Sequence, residues 1–329
     1  MPQIHRRSMA AALAALGATA GVGMRGAMAQ QGYPAHPIRF VIPFGPGGGT
    51  DNLIRTIEPH VSRALGQPLV IENRPGGGSV IGTEMVARAE PDGYTLLAVD
   101  TTISINPGLF PRLPYDTARD LAPVCLLARA PIVLVVHPSV PARSMAELVA
   151  LAKARPGTLA YASGGNGAPT HLAGEMLRFA AGIDIIHLPY RGSGPAMNDV
   201  IAGHVPMTFN GLSASGPHIE SGRVRALAVT GDTRAPAFPD VPTFREVGLA
   251  DVDVFTNWGV LTRAGTPAPI IERLAAVFGE AVRRPDLAPR LNQMGYIPHG
   301  GGPAEYGELI ARETEKFTRV IRAAGIKPD

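Results

Sequence analysis

The chain has 329 residues, 45% of them hydrophobic, with 30 Lys and Arg against 27 Asp and Glu and a single cysteine. Its formal charge of +3 resides in the first 29 residues, which hold Arg6, Arg7 and Arg25 and no acid. The rest is formally neutral and gives nucleic acid or an anionic membrane surface nothing to hold, while one cysteine excludes an internal disulfide and a thiolate metal cluster.

Residues 1–29 read as an export signal. His5, Arg6 and Arg7 form a basic start, residues 9–22 are a short run of Ala, Leu and Gly, and Ala27-Met28-Ala29 offers a small-x-small cleavage site. The apolar run is too short for a membrane span, so no insertion of the mature chain is expected. Arg6-Arg7 leaves the twin-arginine and general secretory routes both open. Export without disulfides fits a bacterial periplasm, and the roughly 300 residues that remain suffice for two packed domains.

The β-formers of IRFVIPF end at Phe44, and the turn GPGGG follows. Thr50 and Asp51, both good N-cap residues, open a helix expected over 52–65. Such a strand–turn–helix leaves backbone N–H groups unpaired at a helix start, a site for an anion. PLVIEN is the next strand, residues 80–89 a short helix, and Pro91-Asp92-Gly93 turns into YTLLAV. Asp100-Thr101-Thr102 starts another loop-to-helix step. The run VCLLARAPIVLVVHP, 124–138, is too long for one compact strand and Pro131 divides it, so it is read as a crossing between domains hinged near Pro131. Cys125 within it is expected to be a buried, inert thiol.

A second α/β group follows. Ser144 caps a helix over 145–154 with Glu147 at the capping-box position. TLAYAS leads into a second glycine-rich loop, ASGGNGAPTH (162–171), of the same character as the first. A helix near 171–180, IDIIHLPY, a helix near 195–202, VPMTFN and VRALAVT complete the group. DVDVFTNWGVLTRAGTP is the return crossing. Helices over 270–283 and 303–324 are expected to pack back on the first domain. The alternation is that of α/β layers, divided into one lobe of residues 30–130 with 257–329 and another of 131–256.

YPAHPIRFVIPFGPGGGTD, GQPLVIENRPGGGSVIG, INPGLFPRLPYD, SGGNGAPTHLAGE, IIHLPYRGSGPA and WGVLTRAGTP follow one another along nearly the whole mature chain. On these segments the sequence resembles the periplasmic substrate-binding proteins of tripartite tricarboxylate transporters, the Bug family. The resemblance implies an α/β, two-lobed periplasmic binding protein fold (Venus flytrap, type II-like) with two interdomain crossings. It also implies a receptor that captures a small carboxylate between the lobes and delivers it to membrane permease subunits, with no cofactor or metal, as a monomer. Carried over residue by residue, the first grip is Phe44, Gly47, Gly48, Thr50 and Asp51, and the second is Ser163, Gly165, Asn166, Gly167, Thr170 and His171. Thr101 and Thr102 end the third strand and are placed in the same cleft, where ligands of open α/β sheets bind. Arg191 is added as a bidentate carboxylate partner. Asn210 stands where many relatives read FDN, so an acid becomes an amide: facing ligand, it leaves a cationic group without an ionic partner and better tolerates a neutral or second acidic group; Gly45 replaces a frequent proline.

Other readings of the same residues stay open at this point. The first loop has no lysine after Gly49 for a Walker loop, and Thr50 occupies the last glycine of a dinucleotide fingerprint, yet its glycines also suit a plain tight turn. Asp51 is expected to cap its helix, with a water-mediated ligand contact as the alternative. His171 either donates to ligand or orients the loop, Arg191 serves equally in a salt bridge, and Trp258 is read as packing. No G-x-S-x-G elbow or H-E-x-x-H occurs. A sensory partner of a membrane receptor would use the same fold, and an undetected carboxylate-processing enzyme is the remaining alternative.

Overall fold

The computed structural model describes residues 32–328; the export signal, its cleavage site and its route fall outside the described residues. Strands β1 (Ile38–Ile42), β2 (Leu69–Asn73) and β3 (Thr95–Val99) run parallel, linked by helices α1 (Gly49–Leu65) and α2 (Val80–Ala87). Alternate residues of β1 enter different cores: Ile38, Phe40 and Ile42 join Leu53 and Ile57 of α1, whereas Val41 joins Val86 of α2. Helices cover both faces of the sheet, which is why β1 is apolar on both sides apart from Arg39, which pairs with Glu72.

Helices α3 (Thr102–Leu109) and α4 (Thr117–Asp120) lead to β4 (Leu121–Val136). At about 3.3 Å per residue this strand of 16 residues extends ~53 Å, longer than one lobe. From Leu121 to Pro131 it pairs antiparallel with β9 (Phe255–Arg263), and from Ile132 onward with β7 (Met207–Gly211) and β8 (Arg225–Val229). The change of partner falls at Pro131, which has no N–H to donate. The long apolar run is therefore one strand shared by both lobes, and β9 is the return crossing.

In the second lobe α5 (Met145–Ala154), β5 (Leu159–Ser163), α6 (Pro169–Ala181), β6 (Ile185–Pro189) and α7 (Ser193–Ile201) precede β7, and α8 (Leu212–Glu220) follows it. The chain closes with α9 (Ala268–Arg283), α10 (Ala288–Gln293), β10 (Ile297–Gly301) and α11 (Pro303–Ala324). The strand order is β2-β1-β3-β9-β4-β7-β5-β6, with β8 and β10 also on β4. This is the α/β, two-lobed binding-protein architecture with two crossings.

Three expectations need correction. Helix α11 does not rest on the first lobe alone: Tyr306, Leu309 and Ile310 enter a core with β1 and β3, while Phe317 and Ile321 enter the core built on β5, α6 and β7. Twenty-two residues at about 1.5 Å each give ~33 Å, enough to straddle both lobes. Helix α8 was not foreseen, because Gly216 and Pro217 mask it, and β10 (IPHGG) is too glycine-rich to read as a strand. The short helices α4 and α10 are absent from the sequence reading too, and β4 runs unbroken through Pro131, where that reading divides the run. The Ser144 side chain accepts the Glu147 N–H at 3.2 Å, and Cys125 is fully buried, its thiol pushed up to about 12 by that burial.

Candidate functional site

Between the lobes lies a cavity of about 440 Å³, a volume suited to a small ligand. Four helix starts reach its wall: Gly49 of α1, Ala168 to Thr170 at α6, Gly192 and Ser193 at α7, and Gly211 at α8. The N-cap residues are Gly48, Ala168, Gly192 and Gly211, and none of the four helices has a side-chain cap. Each start therefore turns roughly half a positive charge to the same space; α6 does so through the Thr170 N–H alone, because Pro169 has no N–H and the His171 N–H donates to Ala168 O at 2.9 Å. Larger grooves exist, of about 590 Å³ beside α4 and about 890 Å³ beside α5. Their helix starts are already satisfied, by Asp116 accepting from Ala118 and Arg119 and by Ser144 accepting from Glu147, so they lack convergent free donors.

The loops are held from behind. Asp51 is the third helical residue, not the cap; its carboxylate accepts from Gly47 N–H at 2.9 Å, Arg55 at 2.8 Å and Asn73 at 3.0 Å. Burial works against the charged form, but these donors outweigh it and hold the carboxyl below its ordinary range. It is spent on shaping the first loop and does not reach the cleft. Phe44 is half-buried between two cores, its carbonyl accepting from Asn73 at 3.0 Å, and Thr50 is buried. Of the first loop it is Gly49, next to the predicted Gly47, Gly48 and Thr50, that lines the cavity. A Cβ on Gly49 would lie 3.3 Å from Trp258 Cζ2, so glycine lets the helix start come against the indole.

In the second loop Thr170 lines the cavity and its Oγ1 accepts the Gly164 N–H at 2.9 Å. Ser163 lies beneath, meeting His187 Nε2 at 2.6 Å and accepting the Gly165 N–H at 3.1 Å. Gly165 and Gly167 take φ of 127° and 72°, values that favour glycine. His171 Nδ1 accepts the Gly167 N–H at 3.1 Å and its ring stacks on His187 at 3.6 Å. Burial, then the neighbouring His187, lowers the His171 pKa to about 3, which keeps the acceptor nitrogen unprotonated. His171 and Asn166 face a separate cavity beside the C-terminal residues 324–328, not the interlobe cleft. The reason is that α6 begins at Pro169, two residues early, which turns His171 to the far side.

Asn210 lines the cleft and ties two helix starts, its Oδ1 accepting from Gly211 N–H at 2.7 Å and its Nδ2 donating to Ser193 O at 3.4 Å. Arg191 is exposed and is not part of the cavity wall. Thr101 and Thr102 are also displaced from it. Thr101 Oγ1 donates to Phe255 O at 3.0 Å and accepts the Asn257 N–H at 2.7 Å, which ties β3 to the return crossing; Thr102 Oγ1 meets Ser79 Oγ at 3.0 Å. Asn257 extends that tie, accepting from Arg129 at 2.9 Å and donating to Glu313 of α11 at 3.0 Å. Sequence reasoning missed Asp100, Ser193, Trp258 and Tyr296 on the wall. Tyr296 donates its hydroxyl to Gly49 O at 2.7 Å and meets Trp258 edge-on at 4.9 Å. Among the described residues no group of three or more His, Cys, Asp or Glu is arranged to hold a metal, and no helix is long and apolar enough to cross a membrane.

The family model described as tripartite tricarboxylate transporter family receptor matches residues 53–326. The chain belongs to this receptor family. It is similar to Protein BugT of Bordetella pertussis, 36% identical over 94% of this chain and 95% of that one. Among solved structures it is similar to Rpa4515 of R. palustris with adipate, with a TM-score of 0.79 and 33% identity over 90% of this chain and 100% of the other. MatC of Rhodopseudomonas palustris with bound malate gives a TM-score of 0.75 and 30% identity, over 88% and 100%. This family member is accordingly a solute-binding receptor and not an enzyme, and its interlobe cavity is the place to seek the solute.

Proposed function

We propose that this receptor captures a small carboxylate in the interlobe cleft, in the periplasm, and passes it as a monomer to permease subunits of a tripartite transporter. The observation that carries the reading is the convergence of four helix starts without side-chain caps on one cavity whose wall holds no Lys or Arg. Carboxylate oxygens would then be gripped by backbone N–H groups of both lobes. Each charge-assisted bond contributes about 1.5–3 kcal/mol after desolvation. Three or four, less the cost of closing and ordering, give micromolar affinity, about −8 kcal/mol.

In this reading Gly48, Gly49, Thr170 and Asn210 stand at or beside the grip, while Ser163, Gly165, Gly167 and His171 hold the second loop in shape. The lobes divide near residues 131 and 257, supported by the change of strand partners at Pro131, and closure bends the β4 and β9 crossings. Ligand selects the closed form because only closure brings both sets of donors to one guest. The adipate and malate complexes of similar receptors support a carboxylate. The test is a thermal-shift screen of the mature protein against mono-, di- and tricarboxylates and amino acids, after partial unfolding to strip carried-over ligand. Stabilisation that follows carboxylates and not their amides supports the reading; no response to any carboxylate contradicts it.

A further inference from the structure

The cleft lined by open helix starts also has a carboxyl of its own. Asp100 follows β3 directly, lines the cavity, and is fixed there by its Oδ1, which accepts the Thr102 N–H at 2.9 Å. No Lys or Arg shares that wall, and the remaining polar side chains on it, such as Asn52, Thr170, Ser193 and Asn210, are neutral. Burial raises the Asp100 pKa against the hydrogen bonds of Thr102 and of its own backbone, and no cation counteracts it. Cations at the crossing are engaged elsewhere: Arg129 on Asn257 and over the Phe255 ring, Lys316 on Asp253. From α11 the ionisable neighbour is Tyr306, buried, with a hydroxyl that has no hydrogen-bond partner and a pKa raised by burial and by Asp100. A carboxyl in such a place is costly to ionise. A guest that brings a cation removes that cost, whereas a guest with a second carboxylate near it adds repulsion.

We propose that the solute of this cleft is zwitterionic: one carboxylate held by the helix starts and one ammonium group paired with Asp100. Asp100 thereby supplies the acid that Asn210 does not, and the expectation drawn from Asn210 alone, that a second acidic group is tolerated, is reversed. The inference rests on carboxylate capture in this cleft and adds the identity of the second group.

Isothermal titration of the mature protein with matched pairs tests it: β-alanine against succinate, γ-aminobutyrate against glutarate, δ-aminovalerate against adipate. In each pair an ammonium replaces one carboxylate at equal chain length. For the length that fits, the amino acid should bind at least tenfold more tightly, and Asp100→Asn should abolish or invert that preference. Asn keeps an oxygen for the Thr102 N–H, and Asp100→Ser with a melting curve serves as a second variant should Asn disturb the fold. Equal binding within the pairs, or a preference that Asp100→Asn leaves unchanged, overturns the inference while carboxylate capture stands. If none of these six binds while another carboxylate does, the inference alone falls; if no carboxylate of any class binds, both fall together.

Discussion

Ala168 is the residue at which stability and binding should move in opposite directions. It is the N-cap of α6, with φ of −64° and ψ of 153°, and offers no side-chain acceptor. Replacing it by Asp places a carboxylate where it caps the helix from within. Exchanging a poor cap for a good one is worth about 1 kcal/mol, which raises the melting temperature by about 1.5–2 °C for a chain of this size. The same carboxylate takes the Thr170 N–H from the ligand, a loss of about 1.5–3 kcal/mol. It also repels the ligand's charge, by about 4 kcal/mol at ~4 Å and an effective dielectric of ~20. Together these weaken binding by about 5.5–7 kcal/mol, on the order of ten-thousandfold to a hundred-thousandfold in Kd. Ala168→Asn, a cap without charge, should lose only about ten- to a hundredfold. Differential scanning calorimetry and titration calorimetry on the same samples read both quantities. An Ala168→Asp protein that melts higher and still binds its carboxylate at wild-type affinity would show that the α6 start takes no part in the grip.

The remaining predictions follow the same geometry. Gly48 has φ of −74° and its nearest obstacle to a Cβ is Gly45 O at 3.6 Å, so Gly48→Val should melt like wild type yet lose ligand in titration calorimetry. Thr101→Val leaves the buried Asn257 N–H without its acceptor and should cost about 1–3 kcal/mol in urea denaturation, with the crossing rather than the grip affected. His171 has a folded-state pKa of about 3, below its unfolded value, so its contribution is present above about pH 6.5 and declines as pH falls towards 3, by up to ~1.4 kcal/mol per unit. His171→Asn, which keeps an acceptor for Gly167 N–H, should flatten the decline of stability between pH 6 and 4; an unchanged slope contradicts the neutral assignment.

Local patterns were legible where the physics is local. The Ser144 N-cap, the apolar run that exceeds one lobe, and the two glycine-rich loops each carry their cause within a dozen residues, although Glu147 reaches back to the Arg143 N–H and not to that of Ser144. Errors arose where one or two residues of helix start decide a direction. Taking Thr50 and Asp51 as caps overlooked that Gly48 is a tolerable N-cap, which moves Asp51 to the third helical position and into the loop's support. His171, read equally as a ligand donor or a loop support, takes the second role: as the third residue of a helix that begins at Pro169 it accepts the Gly167 N–H and stacks on His187. Asp100, Ser193, Trp258 and Tyr296 were beyond reach for a different reason. Their convergence depends on how four separate chain segments meet across β4 and β9, and no periodicity in any one of them records it.

The most direct measurement is a crystal structure of the mature receptor with a bound carboxylate that shifts its melting temperature. The account requires the ligand's carboxylate oxygens within about 2.7–3.2 Å of backbone N–H groups from helix starts in both lobes. A carboxylate held instead by arginine or lysine side chains, or seated in one of the outer grooves with the four helix starts facing only water, would contradict it.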